Sequence, residues 1–263
     1  MTGTRCACLP GVPCWVSLAT RDLDGAKDFY GPLLGWRFET MPGRRGSYVH
    51  AMAGRTAVAG INATAHEWEL PVTWTTYFGT ESADTAVGRV QERGGTVAVG
   101  PLSSDEGRLA LAADPAGASF GLWECRTEPG GPRSPGVGGN AVWVELRTRD
   151  AFEAALFYGG VFDWDRRPSP PYTVRWEEDR VILDIDKRTV ATLYGGAVEG
   201  TVDPRLRPRW HVFFSVADVE ATMETARKLG GQTIGEPSPT HFGRTATLRD
   251  PEGGIFCVVS DHG

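Results

Sequence analysis

Two polar side chains in strand-like segments of the second half of the chain could carry out acid–base chemistry. Glu145 lies in the segment Ala141–Arg147, and His211 lies in Trp210–Val216. A carboxylate shielded from water acquires a raised pKa and can act as a general base or acid, and an imidazole titrates near neutral pH. This pair would suit isomerisation, cyclisation, elimination or hydration of a small molecule. Alternatively, Glu145 forms a structural ion pair with Arg147 or His211, and His211 is a hydrogen-bonded histidine without catalytic duty.

Alternation along the strands predicts which side chains accompany these two groups. Successive residues point to opposite faces, so the apolar face of a strand should pack under a helix and the mixed face should line a pocket. In the second half, the mixed faces carry the predicted ligand-binding residues Trp143, Arg147, Phe213 and Cys257. The matching rows of the first half are aromatic and uncharged, and carry Trp15, Thr75, Tyr77 and Trp123. The two repeated tryptophans could be stacking surfaces for a flat ligand or structural plugs, and Cys257 could be a small buried apolar residue.

The elements that position these residues come from a duplication. The segment Asp22–Tyr30, followed by Gly35-Trp36, returns as Asp150–Tyr158 followed by Asp163-Trp164. Three further motifs of the first half return in the second half: Trp74 as Trp210, Gly94-Gly95 as Gly230-Gly231, and Asp114-Pro115-Ala116-Gly117 as Asp250-Pro251-Glu252-Gly253. Such self-similarity indicates two copies of one domain.

Each copy is predicted to contain a strand, a helix and three strands, twice over. In the first copy, Cys14–Ala19 is a predicted strand, Asp22 caps a helix, and a second helix spans Ser82–Arg93. Asn62–Pro71 is predicted to be a polar connection, and a further strand is predicted near Thr96–Val99. The segment Arg126–Gly139 is crowded with Pro and Gly and is the predicted linker. The sequence therefore predicts an N-terminal arm over 1–13, a first domain over 14–125, the linker over 126–139 and a second domain over 140–263.

This order of motifs resembles the vicinal oxygen chelate superfamily, which contains glyoxalase I, bleomycin-resistance proteins, fosfomycin-resistance enzymes and extradiol dioxygenases. The resemblance covers nearly the whole chain, and it depends on finding the Phe-Tyr, Gly-Trp, Gly-Gly and Asp-Pro-x-Gly motifs in the right order twice. It implies a two-domain bacterial member of the α+β class. Each glyoxalase-like domain would consist of two βαβββ units that form an open curved sheet around a cavity.

The resemblance also implies where a metal ion would be bound. Members that use a metal place ligands on the first, fifth and eighth strands, and those positions are Trp15, Thr75 and Gly121 in the first half and Trp143, His211 and Cys257 in the second. A divalent site needs three or four ligands from His, Asp, Glu and Cys. The sequence therefore predicts no metal site and no cofactor.

The amino-acid composition limits which binding partners and which cell compartment are expected. The chain has 263 residues and a net charge of −6, which argues against a nucleic-acid partner. It shows no secretory h-region and no run of about 20 apolar residues, so we expect a cytoplasmic protein without a membrane partner. Its five cysteines form no CxxC pair and no disulfide framework, and we expect the cysteines Cys6, Cys8 and Cys14 of the N-terminal arm to be reduced thiols. Because both halves lie in one chain, a monomer or weak homodimer is expected.

Two functions remain open at this stage, and a third has less support. The chain could bind and sequester a small aromatic, drug-like metabolite in a metal-free cavity, as the bleomycin-resistance proteins do. It could equally be a metal-independent enzyme of specialised metabolism, of the isomerase, cyclase, lyase or hydroxylase type, that uses Glu145 and His211. A metal-dependent lyase or dioxygenase is the third alternative.

Overall fold

The structure is a computed structural model that describes residues 9–40, 48–67, 69–104, 107–125, 141–164, 172–185, 187–196, 207–240 and 243–260. The predicted linker over 126–139 lies outside the described residues, as do residues 1–8 of the predicted N-terminal arm.

The first half of the chain forms an eight-stranded sheet and three helices. Its strands are β1 (Pro13–Ala19), β2 (Arg37–Thr40), β3 (Tyr48–Ala53), β4 (Thr56–Asn62), β5 (Thr73–Thr80), β6 (Thr96–Ser103), β7 (Gly107–Ala113) and β8 (Ser119–Cys125). Its helices are α1 (Leu23–Leu34), α2 (Thr64–Glu67) and α3 (Ala83–Glu92). The strand order is β2-β3-β4-β1-β5-β8-β7-β6, and β1 pairs in parallel with β4 as β5 does with β8.

The second half repeats this arrangement. Its strands are β9 (Ala141–Arg147), β10 (Tyr172–Glu177), β11 (Arg180–Ile185), β12 (Arg188–Tyr194), β13 (Arg209–Ser215), β14 (Gln232–Thr240), β15 (Gly243–Arg249) and β16 (Ile255–Ser260). Its helices are α4 (Ala151–Phe162) and α5 (Val219–Lys228). The order β10-β11-β12-β9-β13-β16-β15-β14 matches the first sheet position by position. The predicted α+β class and the tandem arrangement are therefore confirmed.

Side-chain caps fix the helix starts that the sequence predicts. Asp22 accepts hydrogen bonds from the backbone N–H groups of Asp24 and Gly25, and Asp150 does the same for Phe152 and Glu153. Ser82 and Asp218 cap α3 and α5 in the same way. These contacts satisfy donors that have no partner inside the helix. Among the described residues, no helix is long and apolar enough to cross a membrane.

Two elements differ from the sequence-based expectation. The short helix α2 lies in a stretch that the sequence predicts as a polar connection, because Asn62 caps it: its Oδ1 accepts from the backbone N–H of Thr64 at 3.2 Å. Strand β6 continues to Ser103 beyond the predicted end near Val99, with register shifts against β7.

Packing divides the chain into two compact units. The first unit comprises Met1–Trp15, Thr76–Gly136 and Trp143–Trp210, and the second comprises Val16–Thr75, Val137–Val142 and His211–Gly263. Helix α3 packs against α4 in the first unit, and α1 packs against α5 in the second. Each unit therefore combines one βαβββ motif from each half of the chain.

Each unit is held by a buried hydrogen-bond chain made from the repeated motifs. In the first unit, Trp210 Nε1 donates to Tyr158 Oη at 2.9 Å and this hydroxyl donates to Asp114 Oδ2 at 3.0 Å. In the second unit the same chain consists of Trp74, Tyr30 and Asp250. Burial raises the pKa of both tyrosines well above the ordinary value and also raises the pKa of both aspartates. The repeated Tyr, Trp and Asp residues thus have a structural role.

Candidate functional site

The predicted residues Glu145 and Arg147 form an ion pair on β9 in the first unit. Arg147 Nε donates to Glu145 Oε1 at 2.8 Å, and Thr192 Oγ1 on β12 donates to Glu145 Oε2 at 3.4 Å. The Glu145 side chain is 16% exposed and that of Arg147 is 35% exposed. The alternate residues Val144 and Leu146 are buried, as the alternation predicts. The carboxylate is therefore held in place on a polar face of the sheet.

The polar face continues across β12, β11 and β10 with residues that sequence reasoning missed. Asp184 accepts from Arg175 Nε and from Thr189 Oγ1, each at 2.8 Å. Arg180 lies over the ring of Tyr194, with Cζ 4.7 Å from the ring centroid, at cation–π distance. Arg180 is opposite Tyr194 in the β11–β12 pairing, and Tyr194 is opposite Arg147 in the β12–β9 pairing. Because residues opposite each other in neighbouring strands point to the same face, these residues share the face of Glu145. We call this set the charged face.

A second face of the first unit is aromatic. Trp15 on β1, Tyr77 on β5 and Trp123 on β8 are all half-buried, as the alternation predicts. Tyr77 is opposite Gly121 in the β5–β8 pairing, and its ring lies over that glycine so closely that a Cβ there would overlap it. We call these three residues the aromatic face. Their rings offer flat apolar area, and strand β8 has no side chain at Gly121.

One cysteine next to the aromatic face departs from the sequence-based expectation. Trp123 Nε1 donates to Cys125 Sγ at 3.3 Å, and Cys125 is disulfide-bonded. A disulfide at Cys125 departs from the expectation of no disulfide framework. Cys14 and Cys257 are free and buried.

His211 and Cys257 meet in the second unit. His211 Nδ1 lies 3.7 Å from Cys257 Sγ, which is also 3.5 Å from Thr247 Oγ1. Phe213 is opposite Cys257 in the β13–β16 pairing. His211 is 8% exposed, Phe213 2% and Cys257 1%, so little of this cluster reaches solvent. The imidazole and the thiol that the sequence places on one face are thus in contact, and their roles stay predictions. Thr75, half-buried on β5, also belongs to this unit.

The second unit holds a further polar group that sequence reasoning did not single out. Asn62 Nδ2 donates to Ser17 Oγ at 3.0 Å, and the rings of Tyr48 and His50 are 5.5 Å apart. The register puts His50 opposite Gly60 and Gly60 opposite Ser17, so these positions share one face. The register of β3, on which this placement depends, has no signal in the sequence alone.

The residues at the metal-ligand positions of the superfamily do not fit a divalent ion. In the first half, Trp15, Thr75 and Gly121 offer no imidazole, carboxylate or thiolate, and the Tyr77 ring lies over Gly121. In the second half, His211 and Cys257 are two donors, where a site needs three or four. Within the described ranges, no group of three or more His, Cys, Asp and Glu residues could hold a metal ion.

Comparison with known sequences gives the family. A family model for a glyoxalase-like domain matches residues 143–259. "Anthracycline biosynthesis protein DauV" of Streptomyces sp. (strain C5) is 34% identical over 265 residues, which cover 95% of this chain and 93% of that protein. "Putative glyoxylase CFP32" of Mycobacterium tuberculosis (strain CDC 1551 / Oshkosh) is 34% identical over 256 residues, which cover 95% of this chain and 94% of the other.

Solved structures share the fold. The Mn(II)-bound glyoxalase from Novosphingobium aromaticivorans aligns with a TM-score of 0.59 and 16% identity, over 96% of this chain and 82% of that one. A catechol 2,3-dioxygenase aligns with a TM-score of 0.56 and 13% identity, over 96% of this chain and 88% of the other. At these identities the likeness shows the fold alone: two tandem domains with curved open sheets. Together with the sequence relatives, it shows that this chain belongs to the glyoxalase-like family of the vicinal oxygen chelate superfamily.

Proposed function

We propose that the chain binds a small aromatic metabolite of specialised metabolism without using a metal ion. The observation that carries this proposal is the aromatic face, where Trp15, Tyr77 and Trp123 are half-buried and the Tyr77 ring lies over Gly121. The names of the relatives support it, since one of them is an anthracycline biosynthesis protein with 34% identity over 95% of this chain.

The aromatic face suits a flat ligand. Tryptophan and tyrosine rings provide large contact areas with a negative face and a positive edge, so they favour stacked or edge-to-face contacts with another ring. Half-buried rings keep part of their area available to a ligand, whereas fully buried rings such as Phe78 and Phe120 belong to the core. A polycyclic aromatic body is therefore the ligand chemistry that the face recognises.

The test is a binding titration with an anthracycline, in which protein and ligand fluorescence are both followed in the presence of a chelator. We expect saturable binding that Trp123→Ala weakens at least about tenfold, because a stacking ring is lost. Trp15→Leu should weaken it as well. Trp176→Ala is the matched control, because Trp176 is 53% exposed and contacts Phe152 instead. Equal affinity in the Trp123 variant and the control would refute the proposal.

The charged face favours a second candidate function, metal-independent conversion of such a metabolite by acid–base chemistry. Glu145 is a half-buried carboxylate. Arg147 orients its first oxygen, and among the described residues its second oxygen has only a long 3.4 Å contact, with Thr192. Such a carboxylate can accept a proton from a bound molecule. In the first copy, Ser17 occupies the corresponding strand position, so the two copies differ at the point where chemistry would occur.

Mass spectrometry distinguishes binding from conversion. Chelator-treated protein is incubated with candidate metabolites, and both the bound and the free molecules are followed over time. Conversion that is lost in Glu145→Gln, with binding retained, would establish the enzyme. Glu224→Gln serves as the control, since this residue is exposed and pairs with Lys228. Conversion that appears only after a metal is added would contradict both candidate functions.

A further inference from the structure

The two copies differ at the turn that faces the start of a long helix. In the second unit this turn is Asp250-Pro251-Glu252-Gly253, and the Glu252 carboxylate lies at the start of α1. Its Oε2 accepts from the hydroxyl of Thr20, from the backbone N–H of Arg21 at 3.2 Å and from that of Asp22 at 3.3 Å. Three donors in front of the helix thus hold one carboxylate.

In the first unit, the three corresponding donors have no carboxylate in front of them. The corresponding turn is Asp114-Pro115-Ala116-Gly117, so Ala116 replaces Glu252. The corresponding donors are Thr148 Oγ1 and the backbone N–H groups of Arg149 and Asp150, ahead of α4. Within the part of the chain that the structure describes, none of the three has a hydrogen-bond acceptor. Thr148 is only 2% exposed and lines a pocket, so an acceptor bound there would satisfy its hydroxyl.

A pocket occupies the space that the missing side chain leaves. Its volume is about 310 Å³, and Ala116, Thr148 and Arg149 are among the residues that line it. Arg93 also lines the pocket, and it stands before Gly94-Gly95 where the second copy has Leu229 before Gly230-Gly231. Its guanidinium lies over Gly160 of α4, where a Cβ would overlap it. At this place, the first unit therefore lacks the acidic side chain that the second unit has, and it carries the cation of Arg93.

The acidic residues of the pocket do not oppose an anion strongly. Asp150 caps α4, and Asp114 accepts from Tyr158 and from the backbone N–H of Ala118. Their counterparts Asp22 and Asp250 make the same contacts beside Glu252, so this arrangement already tolerates a carboxylate. Glu153 is the additional negative charge of this pocket. Arg149, and Arg93, which also pairs with Glu92, line the pocket and offset that charge.

We propose that this pocket binds an organic monocarboxylate with a short apolar body, whose carboxylate takes the position that Glu252 fills in the other copy. The donors are Thr148 and two backbone N–H groups at a helix start, which favours negative charge. The apolar body lies on Pro115, Ala154 and Phe157, which also line the pocket. This site is independent of the aromatic face and of the charged face.

The test uses propionate and phenylacetate as probes, with propionamide as the neutral control, in NMR titrations of the intact protein. We expect one site per chain for the carboxylates and at least about tenfold weaker binding of the amide, because hydrogen bonds to a charged acceptor are the stronger ones. Phenylacetate should bind more tightly than propionate. Equal binding of the amide, or of inorganic phosphate at the same site, would overturn the proposal.

Substitutions taken from the other copy sharpen the test. Ala116→Glu supplies an internal carboxylate, so it should abolish probe binding and raise the melting temperature, whereas Ala116→Gln should do so less. Arg93→Leu and Thr148→Val should each weaken binding about tenfold. Glu252→Ala should open the equivalent place in the second unit and add a second site that binds about tenfold more weakly, because Leu229 stands there in place of Arg93. Binding that persists unchanged in Ala116→Glu and Arg93→Leu would refute the proposal.

Discussion

Glu145 has contacts that serve both a structural and a chemical role. Arg147 and Thr192 each donate to one of its oxygens, and this fixes the orientation of the carboxylate on the charged face. An ion pair between partly exposed side chains stabilises a protein only modestly, but one that is shielded and joined to a network contributes more. At 16% exposure Glu145 lies between these cases. The pair is therefore expected to contribute measurably to stability while it positions the carboxylate.

A double-mutant cycle measures this contribution. We expect Glu145→Ala and Arg147→Ala to show a coupling free energy of about 1 kcal/mol in urea unfolding, because both groups are partly desolvated. The exposed pair of Lys27 and Asp24 is the control, since Asp24 is 88% exposed. Its coupling should not exceed about 0.5 kcal/mol, as is usual for pairs within a helix. A coupling for the Glu145 pair no larger than the control would contradict the inference.

At the scale of the elements, the buried chains of Trp, Tyr and Asp explain why those residues repeat. Tyr158 on α4 connects Trp210 on β13 with Asp114, in the turn after β7, and Tyr30 makes the equivalent connection in the second unit. Both tyrosines have no exposed surface. Each hydroxyl therefore satisfies a buried donor and a buried acceptor at the same time.

Removing one of these hydroxyls should destabilise the protein. We expect Tyr158→Phe to lower the free energy of unfolding by about 2–3 kcal/mol, because Trp210 Nε1 and Asp114 Oδ2 each lose a partner while buried. Tyr30→Phe should have a similar effect in the second unit. Tyr194→Phe is the matched control, because its ring keeps the contact with Arg180. Urea unfolding measures all three, and equal stability of Tyr158→Phe and the control would contradict the assignment.

The buried aspartates give the stability a defined pH dependence. Burial raises the pKa of Asp114 above its ordinary value of 3.8, although its hydrogen bonds act in the opposite direction. Because the pKa is higher in the folded state, the stability that this carboxyl contributes is complete below about pH 3.8 and is lost as pH rises through the folded-state pKa.

Asp114→Asn isolates that effect, since the amide does not titrate. In urea unfolding at a series of pH values, the free energy of unfolding of this variant should change less with rising pH above 3.8 than that of the original protein. Identical slopes in the original protein and in Asp114→Asn would show that Asp114 does not cause the effect.

Local signals in the sequence predict most of the elements, whereas the site depends on strand register. Caps such as Asp22 and Asp150 and the repeated motifs are local, so the helices and the tandem fold follow from them. The alternation on β5 and β9 is local too, and Tyr77 and Glu145 are half-buried at positions that it predicts. The positions of His50 on β3 and of Asp184 on β11 depend on how each strand pairs with its neighbour, and both strands carry a register irregularity. No local signal encodes such a shift.

At the scale of the whole molecule, the duplication and the packing follow different divisions of the chain. Each half supplies one sheet, but each compact unit takes segments from both halves. The core of the first unit shows this directly, because Phe78 and Phe120 from the first half contact Tyr158 from the second. In the second unit, Tyr30 contacts Phe256 in the same manner. Aromatic residues of each half are therefore packed against aromatic residues of the other half.

This interdependence predicts how the halves behave when they are separated. Two fragments, cut within the predicted linker over 126–139, should each self-associate or aggregate, because the surfaces of Phe78 and Tyr158 would be exposed. When the fragments are mixed or expressed together, they should form a 1:1 complex that unfolds cooperatively. We expect the intact chain to be a monomer in size-exclusion chromatography with light scattering. If both fragments were folded, stable monomers on their own, the packing of each unit from both halves would not be needed for stability.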